Sequence, residues 1–591
     1  MITKKHTAIF LFLLAIVLTF LMVRYRWMGK DGNEWKSIID GDGKDYYAYL
    51  DEIFISHNFG AVQHDFGQVF LVNDRTVIKC YCGTSLAITP FFLSAQLIAS
   101  VCHLPNDTYS EVFQKAISFA ALFYLLLGCW FIISLFRHLQ IKKFPTIITI
   151  ILILFATNLL VYSIFHPAMS HVYSFCFISG FLWATQQYIA TNKLRFLSLS
   201  AIFFGIIYLI RPVNIIIICF LPFFFSNLSE VLLFLQTQLR RLWIPVLLFL
   251  MIISLQNILW FVQCRRPFLE IYPHEGFYWL HPELFNVLFS FRKGLFIYTP
   301  LTLLCVLGLI PLFRENKFKA LISTLFLMLL LYVISSWWCW SYFDGFGMRP
   351  FVDFYATFAL LLGLLLQKIN QWKRTVLLII AIGLIPLNLV QAYQYSRGII
   401  HPDYMNFESY KYVFLKTSDE YMNCVGGQND LVPYDKFNKK LIYQSDVYPK
   451  IDGSDSTNIL ILKGETQKAY VYDSLNEFNF YLKLTDDTSL LNSNQLFAEI
   501  HLQKRDLMPC DFHNDLMVIS LTCNDTSHVF YETFPLNYLP NQSSTQWQHL
   551  NYKTILPAIP DKYFKLEFYI WNKKRDSFLI KDLQIKIYRT S

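Results

Sequence analysis

Long apolar runs fill the first two thirds of the chain and are separated by short polar stretches. The runs cover about residues 7–23, 112–136, 144–165, 171–190, 196–210, 213–226, 242–263, 295–312, 320–336, 351–367 and 375–395. A helix needs about 20 mostly apolar residues to cross a bilayer, and most of these runs approach that length. The pattern therefore predicts a polytopic α-helical membrane protein with about eleven transmembrane helices.

The last part of the chain has a different pattern, in which apolar and polar residues alternate. The clearest examples are residues 565–571 and 578–588, with Asn, Asp, Ser and Pro clusters between such stretches. Alternation with a period of two is typical of strands that bury one face. The sequence therefore predicts a transmembrane domain over residues 1–395, a linker over 396–450 and a soluble β-sandwich of jelly-roll type over 451–591.

Composition agrees with a membrane protein. Of the 591 residues, 55% are hydrophobic and only 16% are charged, whereas soluble domains contain about 25% charged residues. This deficit excludes a cytosolic globular protein. The formal net charge of +8 is read as a sign of membrane topology, so we expect no nucleic-acid partner.

Basic residues between the apolar runs predict the orientation of the chain. With the N-terminus inside, every predicted inner loop carries Lys or Arg, which resist translocation. The first loop, residues 24–111, and the stretch after residue 395 then lie outside. Four basic residues fall on the outer side against this rule: Arg24, Arg26, Arg265 and Arg266. Lys-, Asn-, Ile- and Phe-rich usage favours a bacterium, so we expect an inner-membrane protein with a cytoplasmic N-terminus and a periplasmic β domain.

The first predicted outer loop opens with a cluster of acids and tyrosines. Residues 40–52 hold five carboxylates, among them Asp42 and Asp45, next to Tyr46 and Tyr47. Such a cluster could bind a divalent cation through oxygen ligands, or supply one carboxylate that accepts a proton from a hydroxyl. A solvated linker is the simpler alternative. The apolar positions beside the acids favour a short amphipathic helix at the membrane surface.

Cationic side chains gather at the predicted outer ends of the spans. They are Arg211, Arg292, Lys293 and Arg349. Ionisable groups at such positions are costly and often functional, although long basic side chains also anchor helices at lipid headgroups. His166 and His171 flank a short turn between two spans, and we interpret them as turn polarity in preference to metal ligands.

Residues 335–353 combine aromatic and charged side chains. Trp338, Trp340, Asp344 and Asp353 lie in this segment together with Arg349. Tryptophans at a span end can belong to the interfacial aromatic belt. With acids, flexible glycines and an arginine that matches phosphate oxygens, they can also form a wall that binds a sugar phosphate.

Four of these segments together resemble the GT-C glycosyltransferases. They are Gly41-Asp42-Gly43-Lys44-Asp45-Tyr46-Tyr47 after the first apolar run, residues 79–92, Tyr208-Leu-Ile-Arg211-Pro212 and residues 337–353. The resemblance covers about residues 1–395 and is strongest to bacterial members related to the dolichyl-phosphate-mannose mannosyltransferase branch. The end of the tail, 569–582, looks like the last strands of a carbohydrate-binding-module-type jelly roll.

The resemblance implies an enzyme that transfers a sugar from a polyprenyl-phosphate donor to a glycan, lipid or protein acceptor on the extracytoplasmic face. By the family pattern Asp42 matches the catalytic carboxylate, with Asp45 as the alternative. The candidates for the donor phosphate, on charge and predicted topology, are Arg349, Arg211, Arg292 and Lys293. The candidates for substrate binding are Tyr46, Tyr47, Trp338, Trp340, Asp344 and Asp353. A divalent cation, Mg²⁺ or Mn²⁺, stays open because Asp-Gly stands where many members have two consecutive acids.

Two other classes of protein are compatible with many apolar spans. A transporter or flippase of lipid-linked glycans or polar solutes would carry paired charges within its spans, often in two related halves. Here the charges lie at span ends, and no such halves are visible. A scaffold that only displays the β domain would not need about eleven spans. The enzyme is therefore the preferred interpretation.

Overall fold

The computed structural model of the chain describes the helical part almost without gaps and the tail in segments. The described residues are 2–29, 32–60, 69–73, 75–105, 107–271, 275–403, 405–422, 425, 439–447, 459–461, 468–485, 490–491, 496–507, 515–523, 527–536, 546–556, 559, 564–573 and 575–590.

Helices make up most of the described chain up to residue 421. The α-helices are α1 (Lys4–Leu21), α2 (Asp42–Phe54), α3 (Gly83–Val101), α4 (Glu111–His138), α5 (Lys143–Phe155), α6 (Leu159–Ile164), α7 (His171–Thr191), α8 (Leu194–Ile210), α9 (Leu228–Gln238), α10 (Trp243–Cys264), α11 (Leu284–Phe289), α12 (Leu295–Tyr298), α13 (Leu301–Val306), α14 (Leu309–Glu315), α15 (Lys317–Ser335), α16 (Tyr355–Lys368), α17 (Gln371–Ser396) and α18 (Phe407–Val413). A π-helical turn, Met22–Met28, continues α1. Segments of 3-10 helix lie at Glu34–Ser37, Pro212–Phe224, Leu239–Arg241, Arg349–Phe354 and Asp419–Tyr421.

Seven helices in the described part of the chain are long and apolar enough to cross a membrane. They are α1 with its π-helical turn, α3, α4, α10, α15, α17, and α16 with the 3-10 segment before it. Counting the bent pair Pro212–Phe224 and Leu228–Arg241, whose halves meet at 108°, gives up to eight. The prediction of a polytopic helical membrane protein is confirmed.

The count of long helices is lower than the predicted count of apolar runs because some runs are broken. Residues 144–165 form α5 and α6, and residues 295–312 form the three short helices α12, α13 and α14. Pro300 and Gly308 stand at the starts of α13 and α14. Proline cannot donate a backbone hydrogen bond and glycine weakens a helix, so an apolar run with both residues does not form one continuous helix.

Packing between neighbouring helices shows which helix ends lie on the same side of the bundle. α4 and α7 run parallel, because Tyr124 packs on Tyr173 and, further along both helices, Phe131 packs on Trp183, each pair with ring centroids 5.2 Å apart. α8 follows α7 after a tight turn and packs against it in the antiparallel direction. We call the side on which α4 and α7 begin and α8 ends the site side.

Helix α3 begins and ends on the site side. It lies within residues 24–111, which the sequence predicts to be a loop. Gly83 at its start lies against the end of α8, where a Cβ would come within 2.3 Å of the Ile210 nitrogen. After Val101 a short connection leads to Glu111, the start of α4. Although α3 is long and apolar enough to cross a membrane, both of its ends therefore meet the bundle on one side.

Arg26, one of the residues that oppose the charge rule, is buried and held by the turn between α1 and α2. Its Nη1 donates to the carbonyl of Glu34 at 3.0 Å and to the hydroxyl of Ser37 at 2.8 Å, and its Nη2 donates to the carbonyl of Ser37. Buried carbonyls that lack a partner are costly. The arginine therefore has a structural use at this position.

Antiparallel strands form the rest of the described chain. A hairpin of β1 (Val69–Val72) and β2 (Arg75–Ile78) lies in the first loop. The tail contains β3 (Lys439–Val447), β4 (Ile459–Ile461), β5 (Lys468–Tyr472), β6 (Tyr481–Thr485), β7 (Leu496–Asp506), β8 (Leu516–Cys523), β9 (Ser527–Pro535), β10 (Gln548–Leu556), β11 (Phe564–Trp571) and β12 (Phe578–Thr590). One sheet has the order β10-β7-β12-β5-β4, with β3 also paired to β12, and the other has the order β6-β11-β8-β9.

The two sheets of the tail share one hydrophobic core, as the alternating pattern predicts. In β11 the buried apolar side chains are Phe564, Leu566, Phe568 and Ile570, every second residue. They belong to the same core as Ile500 and Ile585 of the other sheet. The predicted C-terminal antiparallel β domain is confirmed.

Ordered elements also occur within residues 396–450, the stretch expected to be a linker. α18 lies in it, and β3 pairs with the last strand, β12, along its length. The sheet therefore begins at Lys439, before the expected boundary at residue 451. β3 is difficult to predict because polar residues occupy most of its positions, Lys439-Lys-Leu-Ile-Tyr-Gln-Ser-Asp-Val447.

Candidate functional site

Asp42 is the first residue of α2, and two glycines place it. Gly41 before it has φ of 55°, a left-handed conformation that glycine adopts without strain. Gly43 permits close packing, since a Cβ there would come within 2.6 Å of the Cβ of Ala168, in the turn before α7. The start of α2 is thereby set against that turn, on the site side. The side chain of Asp42 remains 40% exposed.

Arg349 binds Asp42 from a different part of the chain. Its Nη1 donates to Oδ2 of Asp42 at 2.8 Å, and its side chain is 11% exposed. The loop before Arg349 is fixed through Phe346, whose N–H donates to the hydroxyl of Tyr162 at 2.8 Å and whose carbonyl accepts from the amide of Asn158 at 2.9 Å. The arginine is therefore presented by an ordered loop.

Electrostatics favour the ionised form of Asp42. Burial alone would raise the pKa of this carboxyl group, but the guanidinium of Arg349, with His171 and Arg211 behind it, holds the pKa below its usual value. Asp42 is therefore a carboxylate at neutral pH, and it sits among groups of opposite charge.

Asp353 lies beneath this pair and binds three side chains. Its carboxylate is fully buried and accepts hydrogen bonds from His171 Nδ1 at 2.7 Å, Asn214 Nδ2 at 2.8 Å and Arg211 Nη1 at 3.4 Å. The donors come from the start of α7, the 3-10 helix Pro212–Phe224 and the end of α8. One carboxylate thus joins three helix ends.

These side chains form a single charged group on the site side. Arg349 and Asp353 stand at the start and near the end of the same 3-10 helix, so one short segment supplies a partner to Asp42 and a partner to Arg211. Arg211 is 20% exposed. We call Asp42, Arg349, Arg211, His171 and Asp353 the carboxylate–arginine site. It offers the accessible carboxylate of Asp42 beside the partly exposed Arg211 and the nearly buried Arg349.

Asp45, the alternative catalytic residue, lies deeper than Asp42. Its side chain is buried, and the thiol of Cys80 donates to its Oδ2 at 3.5 Å. Tyr46 is also buried, and its carbonyl accepts from the hydroxyl of Ser85 at 2.6 Å. Both residues stand close behind the carboxylate–arginine site, and Asp42 is the acid at its accessible edge.

Arg292 and Lys293, two further candidates for the donor phosphate, are held by contacts within the protein. Arg292 is buried and makes a two-pronged ion pair with Asp403, with Nη2 2.8 Å from each carboxylate oxygen. Lys293 donates from Nζ to the carbonyl of Gly345 at 2.6 Å and to the carbonyl of Pro402. Burial lowers the pKa of Lys293 to about 8, although Asp403 opposes this effect. The two residues join the start of the tail to the loop before Arg349.

Several expected substrate contacts are placed in the protein interior. Tyr47 is fully buried and donates its hydroxyl to the carbonyl of Thr108. Trp340 is buried with the guanidinium of Arg292 5.7 Å from its ring centroid. Asp353 is enclosed by its three partners, as described above.

Two of the expected contacts lie nearer the surface, in the loop before Arg349. Trp338 is half-buried, and its ring packs edge-on against that of Phe343 at 5.5 Å between centroids. Asp344 is exposed. Of the predicted binding residues, these two have the most accessible side chains.

The expected divalent cation lacks a matching set of donors in the described part of the chain. No group of three or more His, Cys, Asp and Glu residues lies close enough there to hold a metal ion. Asp42, the accessible acid, has Arg349 against one of its oxygens. Mg²⁺ and Mn²⁺ prefer several oxygen ligands, so the described side chains around Asp42 do not by themselves fit either ion.

Two residues of the site were not recognised from the sequence. Asn214 is hidden in an apolar run, and its only signal is a polar amide three residues after Arg211. His171 was interpreted as turn polarity, yet it is buried at the start of α7 against Asp353. A buried polar residue within an apolar run is the signal that could have identified both.

Comparison with known proteins gives similar solved structures. No protein-family model matches the chain, and no curated protein matches it. The apo oligosaccharyltransferase of Archaeoglobus fulgidus has 12% identity and a TM-score of 0.40, over 73% of this chain and 62% of that chain. The AglB oligosaccharyltransferase from Archaeoglobus fulgidus in complex with an inhibitory peptide and a dolichol-phosphate gives the same values.

A second kind of enzyme is also similar. The arabinosyltransferase EmbB of Mycobacterium smegmatis has 10% identity and a TM-score of 0.35, over 100% of this chain and 65% of that chain. The chain thus spans 62% to 65% of the length of these structures. Both names denote enzymes that transfer sugars.

Proposed function

We propose that this protein transfers a sugar from a polyprenyl-phosphate donor to a hydroxyl of a glycan, lipid or protein acceptor. The observation that carries the proposal is the accessible carboxylate of Asp42, 2.8 Å from Arg349 and beside the accessible Arg211. Transfer with a phosphate leaving group requires a proton acceptor and cations in one place, and these three side chains supply both.

The reaction can be written with the residues of the carboxylate–arginine site. The acceptor oxygen attacks the anomeric carbon of the sugar, and the bond between this carbon and the phosphate oxygen breaks. Asp42 accepts the proton of the acceptor hydroxyl, while Arg349 and Arg211 stabilise the charge on the departing polyprenyl phosphate. Asp42 then returns its proton to water, to which its side chain is 40% exposed.

The position of the site in the bundle suits a donor held in the membrane. Arg211 directly follows α8, and Arg349 begins the helical segment that continues into α16. Phosphate headgroups lie at the same level as the ends of transmembrane helices, where arginine side chains commonly reach them. Basic residues in the loops on the other side of the bundle support placing the site side outside.

The first experiment measures sugar transfer by the purified full chain and two variants. Wild type, Asp42→Asn and Asp45→Asn, in nanodiscs, receive radiolabelled polyprenyl-phosphate sugars and a membrane extract as the acceptor source. Release of polyprenyl phosphate should fall about 100-fold or more in Asp42→Asn, because a general base contributes at least that factor. Asp45→Asn is the matched control, since Asp45 is buried behind the site.

The comparison of the two variants decides the identity of the base. Melting temperatures and size-exclusion profiles close to those of wild type establish that both variants are folded. If wild type is active and Asp42→Asn keeps its rate, Asp42 is not the base. A loss confined to Asp45→Asn would move the role to the deeper carboxylate.

A further inference from the structure

The carboxylate that must accept a proton is already occupied by an arginine. Arg349 Nη1 lies 2.8 Å from Asp42 Oδ2 and donates a charge-assisted hydrogen bond to it. A carboxylate in such a pair is stabilised in its ionised form and is a weaker base than a free one. The same guanidinium is also the strongest candidate for holding the donor phosphate. Arg349 therefore has two anionic partners that compete for it.

The two ion pairs of the carboxylate–arginine site differ in how easily they can separate. Asp353, the partner of Arg211, is 0% exposed and binds two further side chains. Separation there would leave a buried charge without a partner, at a cost of several kcal/mol. Asp42, the partner of Arg349, is 40% exposed, so water can solvate it when the arginine leaves. Only the pair of Arg349 and Asp42 can therefore separate without leaving a buried, unpartnered charge.

Arg349 also has an unused donor for an incoming anion. Its Nε is buried and has no hydrogen-bond partner in the part of the chain that the structure describes. Guanidinium groups bind phosphate through two parallel N–H donors. Nη1, once released from Asp42, can form such a parallel pair with Nη2, and the unpartnered Nε adjoins Nη2 on the other edge of the guanidinium.

We infer that the donor phosphate takes Arg349 away from Asp42 and that this exchange frees the base for the acceptor. The inference rests on the proposed function and concerns the order of its steps: the donor binds first, and the acceptor is deprotonated only afterwards. Before the donor binds, the hydrogen bond from Arg349 makes Asp42 a poor proton acceptor. In the complex, Arg349 neutralises the leaving group while Asp42 faces the acceptor hydroxyl.

A double-mutant cycle on binding tests the exchange without any need for turnover. The probe is geranylgeranyl monophosphate, titrated into the full chain in nanodiscs, with geranylgeraniol as the phosphate-free reference. Asp42→Asn removes the competitor of the phosphate, so the Kd for the probe should fall about three- to tenfold, the worth of a partly exposed ion pair. In the Arg349→Gln background the same Asp42→Asn change should leave Kd unaltered.

A matched control separates exchange from general repulsion. Asp40 is an exposed acid two residues before Asp42, and its ion-pair partner among the described residues is Lys44, at 3.2 Å. Asp40→Asn removes one negative charge near the site and should change the Kd for the probe by less than about twofold. Asp42→Glu, which keeps the charge, should keep the Kd of wild type, and Asp42→Ser removes the charge in the same cycle if Asp42→Asn is not folded.

The outcomes distinguish this inference from the proposed function. Equal gains in affinity from Asp42→Asn in the wild-type and Arg349→Gln backgrounds mean simple repulsion and overturn the exchange, as does no gain at all. If wild type binds the monophosphate no more tightly than the alcohol, there is no phosphate subsite, and the proposed donor class fails with it. The exchange is supported only if Asp42→Asn tightens binding of the probe in the wild-type background and not in the Arg349→Gln background.

Discussion

A single buried carboxylate sets the directions of two polar side chains in the site. Asp353 receives hydrogen bonds from His171 and Arg211, which belong to different helices. Because the accepting atom in the first bond is a carboxylate oxygen, Nδ1 of His171 carries a proton. The position of each group therefore depends on a residue that itself has no access to substrate.

We expect Asp353→Asn to impair transfer although the residue contacts no substrate. The variant keeps the size of the side chain but removes the negative charge that holds Arg211 and His171, and misplacement of groups in a site costs about tenfold or more in rate. Loss of one partner of a buried ion pair also lowers stability by about 3 kcal/mol. Turnover and chemical unfolding of the purified variant measure both effects.

A nearby change supplies the control for this prediction. Ser174 accepts a hydrogen bond from Asn214 at 3.1 Å, one layer further from Asp42. Ser174→Ala should leave the rate within about threefold of wild type, because one neutral hydrogen bond is worth only about 1 kcal/mol. Wild-type turnover and stability in Asp353→Asn would show that the carboxylate does not organise the site.

At the scale of elements, the position of α2 is set by a close steric contact. Gly43 meets Ala168 with no room for a Cβ. The contact joins the helix that carries Asp42 to the turn that precedes His171, so the two halves of the site are held at a fixed distance. Small residues are required on both sides of such a contact.

Gly43→Ala should therefore reduce transfer, and a second substitution should restore it. The added methyl would lie 2.6 Å from the Cβ of Ala168 and must push the start of α2 away from Arg349. A shift of about 1 Å in a reacting group can cost about 100-fold in rate. Ala168→Gly removes the opposing methyl, so the double variant should recover most of the activity. Failure of this rescue would show that the contact does not position Asp42.

At the scale of the whole molecule, α3 decides how the first loop relates to the membrane. Both ends of the helix lie on the site side, near the end of α8 and the start of α4. The first loop therefore returns to the side on which it began. A helix that crossed would instead reverse the orientation of everything after it.

Cysteine labelling in intact cells tests this topology. Cys102 follows α3 directly and is exposed. A membrane-impermeant maleimide should label it from the same side as a cysteine introduced at Ser56, after α2, and from the opposite side to one introduced at Lys193, between α7 and α8. A variant in which the other eleven cysteines are replaced carries Cys102 alone, and the same variant with Cys102→Ser is the background for the introduced cysteines. Labelling of Cys102 together with Lys193→Cys would mean that α3 crosses the membrane.

How much the sequence could predict depended on where the partner of each residue lies. Arg211 and Arg349 are predicted on one side because each stands next to the end of an apolar run, and Asp42 because it lies in the loop after the first run; the structure brings the three together. Arg292 is a candidate for the phosphate on charge and predicted topology, and its partner in the structure, Asp403, lies 111 residues later in the stretch predicted to be a linker. A charge shows that a partner is needed but does not identify it.

Secondary structure was likewise predictable only where an element's own sequence pattern reports its contacts. The period-two pattern predicted β11 and β12, since alternate apolar residues of β11, and of β12 from Leu583 onward, are buried in the core of their own domain. α3 was missed because Pro90 and several polar residues interrupt its apolar character. Its place depends on contacts with α4 and α8, which no local pattern reports.

The junction of Arg292, Lys293 and the tail has a consequence for how the sequence can vary over evolution. Arg292 meets Asp403 through side chains, so a change at either position should be accompanied by a change at the other. Lys293 instead binds the backbone carbonyls of Gly345 and Pro402, and a carbonyl is present whatever residue carries it. Among related sequences, positions 292 and 403 should therefore covary, whereas 402 can drift without loss of the contact.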